Sequence, residues 1–479
     1  MEKSKYDYVV LGGGVSGLGF AKRVSERGKT VLVLEKEDVV GGLSRSIEHK
    51  GFYLDFCAHR FHTNNKDLLD EILSLPGLKM EQHVKKSRIY MFNKWLKYPF
   101  EVQQLLRAMP FHQAISCGTH FAFNEVKKRL TKKPEILNSY KDWFVYIYGK
   151  PLYEVMCRPY TSKIWRHDPG EISADWADQR FQGENLQKLI GRVLKKIITL
   201  NFSSYNLRDD SLAPDGGPFY YPQKGIQELC DALKVAAETK GADIYTGVKV
   251  TAVNTAKKEV VFVKDGKEET VEYGSVISTI PMHAFYKLQD RELPEVKEAL
   301  DGLKYMDIIF VYLFLDTPQL SNDHWLYFPD SEIVFNRAVE FSNWSPVMCP
   351  EGKTSVCFDI TCFEGDSVWN QSDKELVDRT IADAASTGYL SAEQVTDSLV
   401  LRVKYAYPFY DLDYKKKLDA IVSGLESDDV YLLGRTGIFR YNNSDNSIEM
   451  GFGLAEALLD EAVEKKTVHE FAPKAKTSY

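Results

Sequence analysis

The chain opens on an apolar run at residues 6–11 (Tyr-Asp-Tyr-Val-Val-Leu), with the length and composition of a strand buried in a parallel sheet. Three glycines follow at once. Leu18, Ala21 and Val24 then recur with helical spacing, which predicts a helix with one packed face. Residues 30–34 form a second β-branched run and predict another strand, so the chain begins with a βαβ unit. Between 62 and 200 the period changes. Residues 66–75, 101–109 and 184–200 carry apolar positions three and four apart, and this stretch reads as mainly helical. The stripe in the last of these (Leu186, Leu189, Ile190, Val193, Leu194, Ile197) reads as a core-facing helix; Lys188, Lys195 and Lys196 are too few for a membrane-lying one. The basic run at 126–133 reads as a solvated helix end. Farther on, 308–314, 334–341 and 355–362 are β-branched and aromatic and predict an antiparallel sheet. Residues 210–218 read as a loop, and the tail after Val468 as frayed.

The glycines between the first strand and helix give the βαβ unit its chemistry. In Gly12-Gly13-Gly14-Val15-Ser16-Gly17, Gly12 permits a tight turn and Gly14 lets the backbone approach a pyrophosphate. Gly17 lets the helix lie close to the strand, and the helix N-terminus offers unpaired N–H groups to phosphates. Glu35 ends the second strand, where a carboxylate accepts hydrogen bonds from a ribose and repels a 2′-phosphate. A dinucleotide site of Rossmann type is therefore expected.

Composition narrows the rest. A chain of 479 residues with 44% hydrophobic and 27% charged positions is ordinary globular protein of two or three regions. The net charge of −7 argues against nucleic acid as a partner. No apolar run reaches the roughly 20 residues of a membrane span, and the N-terminus enters a strand without an apolar leader. The seven cysteines are scattered without metal-ligand spacing and read as reduced thiols, so a soluble, cytoplasmic protein without a metal site is expected.

Further segments carry a resemblance. Gly41-Gly42-Leu43-Ser44-Arg45 follows the second strand, where FAD-dependent oxidases of the amine-oxidase and protoporphyrinogen-oxidase superfamily carry a second glycine pair. Residues 244–250, which include Val248, resemble that superfamily's strand beside the adenine. Residues 276–281 resemble its strand-to-loop segment. Residues 430–435, ending on Gly434-Arg435, resemble its late strand at the flavin ribityl and pyrophosphate. The resemblance implies FAD rather than NAD, held by Gly12, Gly14, Ser16, Gly17, Glu35, Gly42, Leu43, Ser44, Val248, Gly434 and Arg435. It also implies an α/β fold in which the FAD-binding domain is discontinuous, at 1–61, 205–285 and 425–468. A mainly helical region (62–204) and an antiparallel-sheet substrate domain (286–424) complete it. No second GxGxxG occurs, so no separate NAD(P)H domain is expected.

A narrower resemblance runs along nearly the whole chain. Residues 335–346 (Phe-Asn-Arg-Ala-Val-Glu-Phe-Ser-Asn-Trp-Ser-Pro) look like the arginine-bearing segment of eukaryotic-type UDP-galactopyranose mutases. Residues 95–100, which end on Tyr98-Pro99-Phe100, resemble the family's uridine pocket. Residues 160–165, with Trp176 and Arg180 after them, resemble its lysine–tryptophan segment and a second diphosphate-facing arginine. The likeness implies that Arg180 and Arg337 clamp a diphosphate. It implies further that Tyr98, Phe100, Lys163, Trp165, Trp176, Trp325, Tyr327, Tyr407 and Tyr441 line the substrate, and that His59 lies beside the flavin. Arginine forks suit a diphosphate because they are planar, bidentate and always protonated. Two positions depart from the family. Its paired glycines before the histidine are Cys57-Ala58 here, and Glu101 stands where it places a glutamine. A carboxylate cannot donate to a uracil carbonyl, so the base stays open.

The implied reaction is redox-neutral: N5 of reduced FAD bonds to the anomeric carbon, the diphosphate leaves, and the ring recloses as furanose or pyranose. NAD(P)H would reduce the flavin first. Two alternatives stand beside it, a hydride-removing flavin oxidoreductase of the amine-oxidase type and a flavin-binding protein without catalysis. The sugar and the oligomeric state stay open.

Overall fold

The computed structural model describes residues 4–56, 59–98, 102–130, 137–180 and 218–460. The helix expected at 184–200, all but the last residue of the 210–218 loop, and the tail past Val468 lie outside the described residues.

The first sheet has seven strands drawn from three distant stretches of chain. Lys5–Leu11 lies at its centre, parallel to Val31–Leu34 on one side and to residues 272–278 of Lys267–Ser278 on the other. Asp243–Tyr245 extends one edge in parallel, and Val430–Leu432 pairs in parallel with residues 276–278. Beyond them, Glu259–Lys264 and Lys249–Asn254 fold back antiparallel. Val9, Val10, Leu32, Val33 and Ile277 are fully buried, as strands covered on both faces must be, hence the unbroken apolar runs. Against this sheet lies the Val15–Glu26 helix, wedged against Gln227–Thr239 and Ser444–Leu459. A Cβ on Gly451 would sit 2.3 Å from the Ser16 carbonyl oxygen, so two helix backbones touch where only glycine fits.

A second seven-strand sheet runs Val395–Phe409, Lys304–Leu315, Thr354–Cys362, Arg337–Glu340, Trp325–Tyr327, Ser87–Met91, Lys94–Lys97. All neighbours are antiparallel except Trp325–Tyr327 with Ser87–Met91. The runs expected at 308–314, 334–341 and 355–362 form three of these strands. The last two strands differ from expectation, because they come from inside the stretch read as mainly helical. Ser87–Met91 alternates buried and half-buried positions, as a strand with one covered face does. Its turn, Phe92-Asn93, has both φ positive at 56° and 57°, the sense of a two-residue hairpin turn.

Helices at Lys66–Leu73, Val102–Ala108, Phe111–Leu130, Tyr140–Tyr148, Arg158–Trp165 and Asp175–Arg180 fill the region between. Ser139 and Asp142 close a capping box on the fourth. No helix among the described residues is long and apolar enough to cross a membrane, and the six described cysteines are all buried free thiols.

Candidate cofactor and substrate site

The glycine turn is fixed by contacts that leave no room for a side chain. Gly12 has φ +101°, and a Cβ there would lie 2.4 Å from Thr279 Oγ1. On Gly17 it would lie 2.5 Å from the Gly12 carbonyl oxygen. Gly14 is different: nothing lies within 4 Å of its Cβ position. Gly14 caps the Val15–Glu26 helix, which has neither a side-chain cap nor an acidic residue in its first turn, so its N-terminal donors face a space open to an anion. Glu35 is buried beside the turn, its carboxylate accepting from Gly13 N–H at 2.7 Å and Glu37 N–H at 2.9 Å. Val248, buried too, donates its N–H to the Glu35 carbonyl at 2.9 Å. The nucleoside end expected at Glu35 and the valine-bearing turn are thus one unit.

The second glycine pair closes over the first. Gly41 N–H donates to the Gly13 carbonyl at 2.8 Å, and Gly41 and Gly42 have φ +120° and +58°. Ser44 N–H turns back to Gly41, Leu43 lies half-buried between them, and the Ser44 carbonyl accepts from Cys230 Sγ at 3.0 Å. From the far end of the chain, Gly434 (φ +81°) approaches Ser16, where a Cβ would meet Oγ at 2.4 Å. Arg435 is braced inward, its Nε donating to the Asn442 carbonyl at 3.1 Å and its Nη1 to the Ala406 carbonyl at 3.2 Å. A cradle of glycines around an uncapped helix start fits the pyrophosphate of a dinucleotide, and five separate pieces of sequence build it.

A second group of side chains stands on the antiparallel sheet. Tyr327 pairs in register with Arg337, and Arg337 with Asp359. Asp359 Oδ2 accepts from Arg337 Nε at 2.8 Å and stands 2.6 Å from Nη2, which orients the guanidinium. The Tyr327 ring meets Tyr98 at 5.1 Å and Tyr160 at 6.2 Å. Burial raises the Tyr327 hydroxyl above the usual phenol range, so it stays neutral. Lys85 Nζ lies 5.1 Å from the Trp325 ring centre and 5.8 Å from that of Tyr98, while the Arg60 guanidinium is 5.6 Å from Trp325. Behind them, burial pushes His324 down to about 4; its Nδ1 accepts from the Lys86 N–H at 3.1 Å, so the ring is neutral. Tyr407 and Tyr441 stack at 5.3 Å with the Arg435 guanidinium over both.

Other expected residues have other surroundings. Lys163 is buried, and its Nζ donates to the carbonyls of Phe328 at 2.6 Å and Asp330 at 2.7 Å. Burial lowers its ammonium to about 7. Trp165 and Trp176 cross edge-to-face at 5.3 Å inside the core, with Tyr140 and Phe409 around them. His59 is partly buried on the stretch after Phe52–Asp55. Asp55 anchors that stretch from a wholly buried position: its carboxylate accepts from Ser46 Oγ at 2.6 Å, Tyr221 OH at 2.6 Å and Ile226 N–H at 3.1 Å. Cys57, Ala58, Phe100 and the side chain of Arg180 lie outside the described residues. Arg60, Lys85 and Tyr160 had no assigned role in the sequence. Lys85 reaches the aromatic group because Ser87–Met91 pairs with Trp325–Tyr327, a long-range register that no local pattern announces.

The comparisons with known proteins fit this arrangement. Over 307 residues the chain is 23% identical to a UDP-galactopyranose mutase of Mycoplasma pneumoniae, a match covering 60% of this chain and 67% of that one. A solved structure of reduced UDP-galactopyranose mutase superposes with a TM-score of 0.82 at 23% identity, covering 97% and 96% of the two chains. A putative protoporphyrinogen oxidase from Exiguobacterium follows with a TM-score of 0.69 at 16% identity, over 96% and 99%. Residues 15–411 match the family described as flavin-containing amine oxidoreductase, and the chain belongs to that family.

Proposed function

We propose that this protein rearranges the sugar ring of a nucleotide sugar, interconverting pyranose and furanose forms in the manner of a UDP-galactopyranose mutase. The observation that carries the reading is the grouping of Arg337, Tyr327, Tyr98 and Trp325 with Lys85 and Arg60, which joins cations, neutral phenols and an indole face. A diphosphate needs the first, its sugar hydroxyls the second and its base the third. The names of the mycoplasma relative and of the reduced mutase support the same reading.

The cofactor would be FAD, with its pyrophosphate at Gly12, Gly14 and the start of the Val15–Glu26 helix, and its nucleoside end at Glu35 and Val248. Gly42, Leu43, Ser44, Gly434 and Arg435 close around it. When bound and reduced, with NAD(P)H as the reductant, it would supply a nucleophilic nitrogen for the anomeric carbon. The chain's own part is positioning and charge. Arg337, oriented by Asp359, takes up negative charge on the departing diphosphate, together with Arg180. Tyr327 donates from a neutral hydroxyl with Tyr98 beside it, Tyr407 and Tyr441 form a stacked wall, and Trp325 would serve the base. Lys163 fixes the turn that follows Trp325–Tyr327, with Trp165 and Trp176 packed as backing. His59 would respond to the charge of the reduced flavin.

A second reading, a flavin oxidoreductase that removes hydride from its substrate, is supported by the family's description and by the protoporphyrinogen-oxidase fold. Calorimetric titration of the flavin-loaded protein with UDP, dTDP and GDP separates the two. Saturable binding that weakens in Arg337→Ala supports the mutase; no binding of any nucleoside diphosphate removes it.

A further inference from the structure

Two aromatic residues hold a backbone conformation that favours glycine. Tyr405 has φ +59° and Phe439 φ +51°, a region in which a Cβ crowds the following carbonyl oxygen. Their places in the chain match. Tyr405 stands two residues before Tyr407, and Phe439 two residues before Tyr441. Those are the tyrosines whose rings stack at 5.3 Å with the Arg435 guanidinium over both. Arg435 ties the same two stretches together, donating to the Ala406 carbonyl beside one ring and to the Asn442 carbonyl beside the other. Backbone held out of its preferred region persists only where its neighbours over-determine it.

One strand supplies those neighbours. Tyr305 and Asp307 are alternate residues of Lys304–Leu315, which pairs with Val395–Phe409. The pairing is irregular here. Met306 pairs with Tyr407 and Ile308 with Val403, so residues 404–406 bulge opposite Asp307, and a bulge re-aims the side chains beside it. Asp307 is buried and clips the bulge: its Oδ1 accepts from the Tyr405 N–H at 2.9 Å and its Oδ2 from the Glu364 N–H at 2.8 Å. The buried Tyr305 ring meets Tyr405 edge-on at 5.3 Å and Phe439 edge-on at 4.9 Å. Its hydroxyl donates to the Thr436 carbonyl at 2.8 Å. Tyr410 closes the other side, its hydroxyl accepting from the Tyr441 N–H at 2.7 Å and donating to the Phe439 carbonyl at 3.3 Å. We propose that Tyr305 and Asp307 are positioning residues: they hold Tyr405 and Phe439 in the left-handed region and so set the spacing and tilt of the Tyr407–Tyr441 wall. The proposal rests on the reading of that wall as part of the substrate site. A purely structural role differs in one respect. If Asp307 serves the Tyr405 backbone, a glycine at that position, which takes positive φ without strain, makes Asp307 dispensable; if it serves only the fold, it does not.

Crystal structures and turnover of the flavin-loaded full chain test this with Asp307→Ala, Tyr405→Gly, the two combined, and Asp307→Asn as the conservative control. In Asp307→Ala the φ of Tyr405 should turn negative and the two tyrosine rings should leave their 5.3 Å stacking. Turnover of UDP-galactofuranose should fall about tenfold to a hundredfold, while UDP affinity, which depends on Arg337, stays within about twofold. Asp307→Asn keeps an amide oxygen for the Tyr405 N–H and should keep both wall and turnover. Added to Tyr405→Gly, Asp307→Ala should change neither. An intact wall in Asp307→Ala overturns the proposal, as does an equal loss from Asp307→Ala with and without Tyr405→Gly. Should Asp307→Ala fail to fold, the double variant decides: folded with the wall in place it supports the brace, unfolded it overturns it. A wild-type protein that converts no nucleotide sugar sinks the mutase reading alone, since the ring positions in the crystals still decide the brace.

Discussion

The dinucleotide crease and the aromatic–cationic group are built on opposite principles. The crease is made of backbone: Gly12 and Gly17 are glycine because a Cβ would strike Thr279 or the Gly12 carbonyl, and its donors are main-chain N–H groups. The aromatic group is made of side chains on a frame that would accept many others, and its members meet only through strand pairings far apart in sequence. A backbone site constrains residue type at every position, so it writes itself into the sequence. A side-chain site constrains only a few, and those are of common types.

Substitutions sharpen the contrast, beginning with the largest effect. Within the crease, Gly17→Ala should lower the stability of the flavin-free protein by about 3 kcal/mol, read as a fall in urea midpoint. Gly14→Ala should leave that midpoint within about 1 kcal/mol yet weaken flavin retention at least tenfold, because only a ligand needs its open side. Equal destabilisation by the two would mean that Gly14 serves folding rather than cofactor.

In the side-chain group, Arg337→Ala should weaken nucleoside-diphosphate binding tenfold to a hundredfold, about 1.4–2.8 kcal/mol, with little change in flavin content. Arg337→Lys should recover only part of this, since a point charge does not replace a fork. Smaller again is Lys163→Met. Leaving the Phe328 and Asp330 carbonyls without the ammonium should cost about 1 kcal/mol of stability, seen as a lower thermal midpoint, with the crease intact.

A pH-dependent effect, rather than a fixed one, is expected at Asp55, which ties Ser46 to Tyr221 and Ile226. Burial pushes its carboxyl up to about 7, outweighing the hydrogen bonds that favour the charged form. The folded protein therefore holds this proton more tightly than the unfolded chain. The associated stability is fully present below the unfolded carboxyl pKa of about 4 and is lost as pH rises through about 7. Asp55→Asn should flatten that part of the pH–stability curve; an unchanged slope would assign it to other groups.

The same contrast explains what the sequence made legible. The βαβ turn was readable from its own residues, since Gly12 and Gly17 are glycine for a steric reason between a strand and a helix, whereas the second glycine pair and the late Gly434 were readable through the family resemblance. The hairpin from Ser87 to Lys97 was not readable, because its turn residues, Phe92 and Asn93, lack the glycine that usually marks two positive φ values. Lys163 and the two tryptophans illustrate a different limit. The family resemblance puts them forward as substrate residues, and packing adds what no motif shows, that Lys163 holds two carbonyls and that Trp165 and Trp176 meet in the core. The Phe111–Leu130 helix falls in the stretch read as mainly helical, but its packed side was not legible. Its inner face is partly polar and its outer face partly apolar, so its stripe says nothing of which side meets the protein.

The most direct test follows nucleotide sugars by NMR under anaerobic conditions, with the flavin either oxidised or reduced beforehand. Pyranose-to-furanose conversion by the reduced protein alone, over many turnovers and without consuming reductant, is the predicted result. Bleaching of the oxidised flavin by a substrate that is itself oxidised, with no ring interconversion by the reduced form, would contradict the account and make the protein a hydride-removing oxidoreductase.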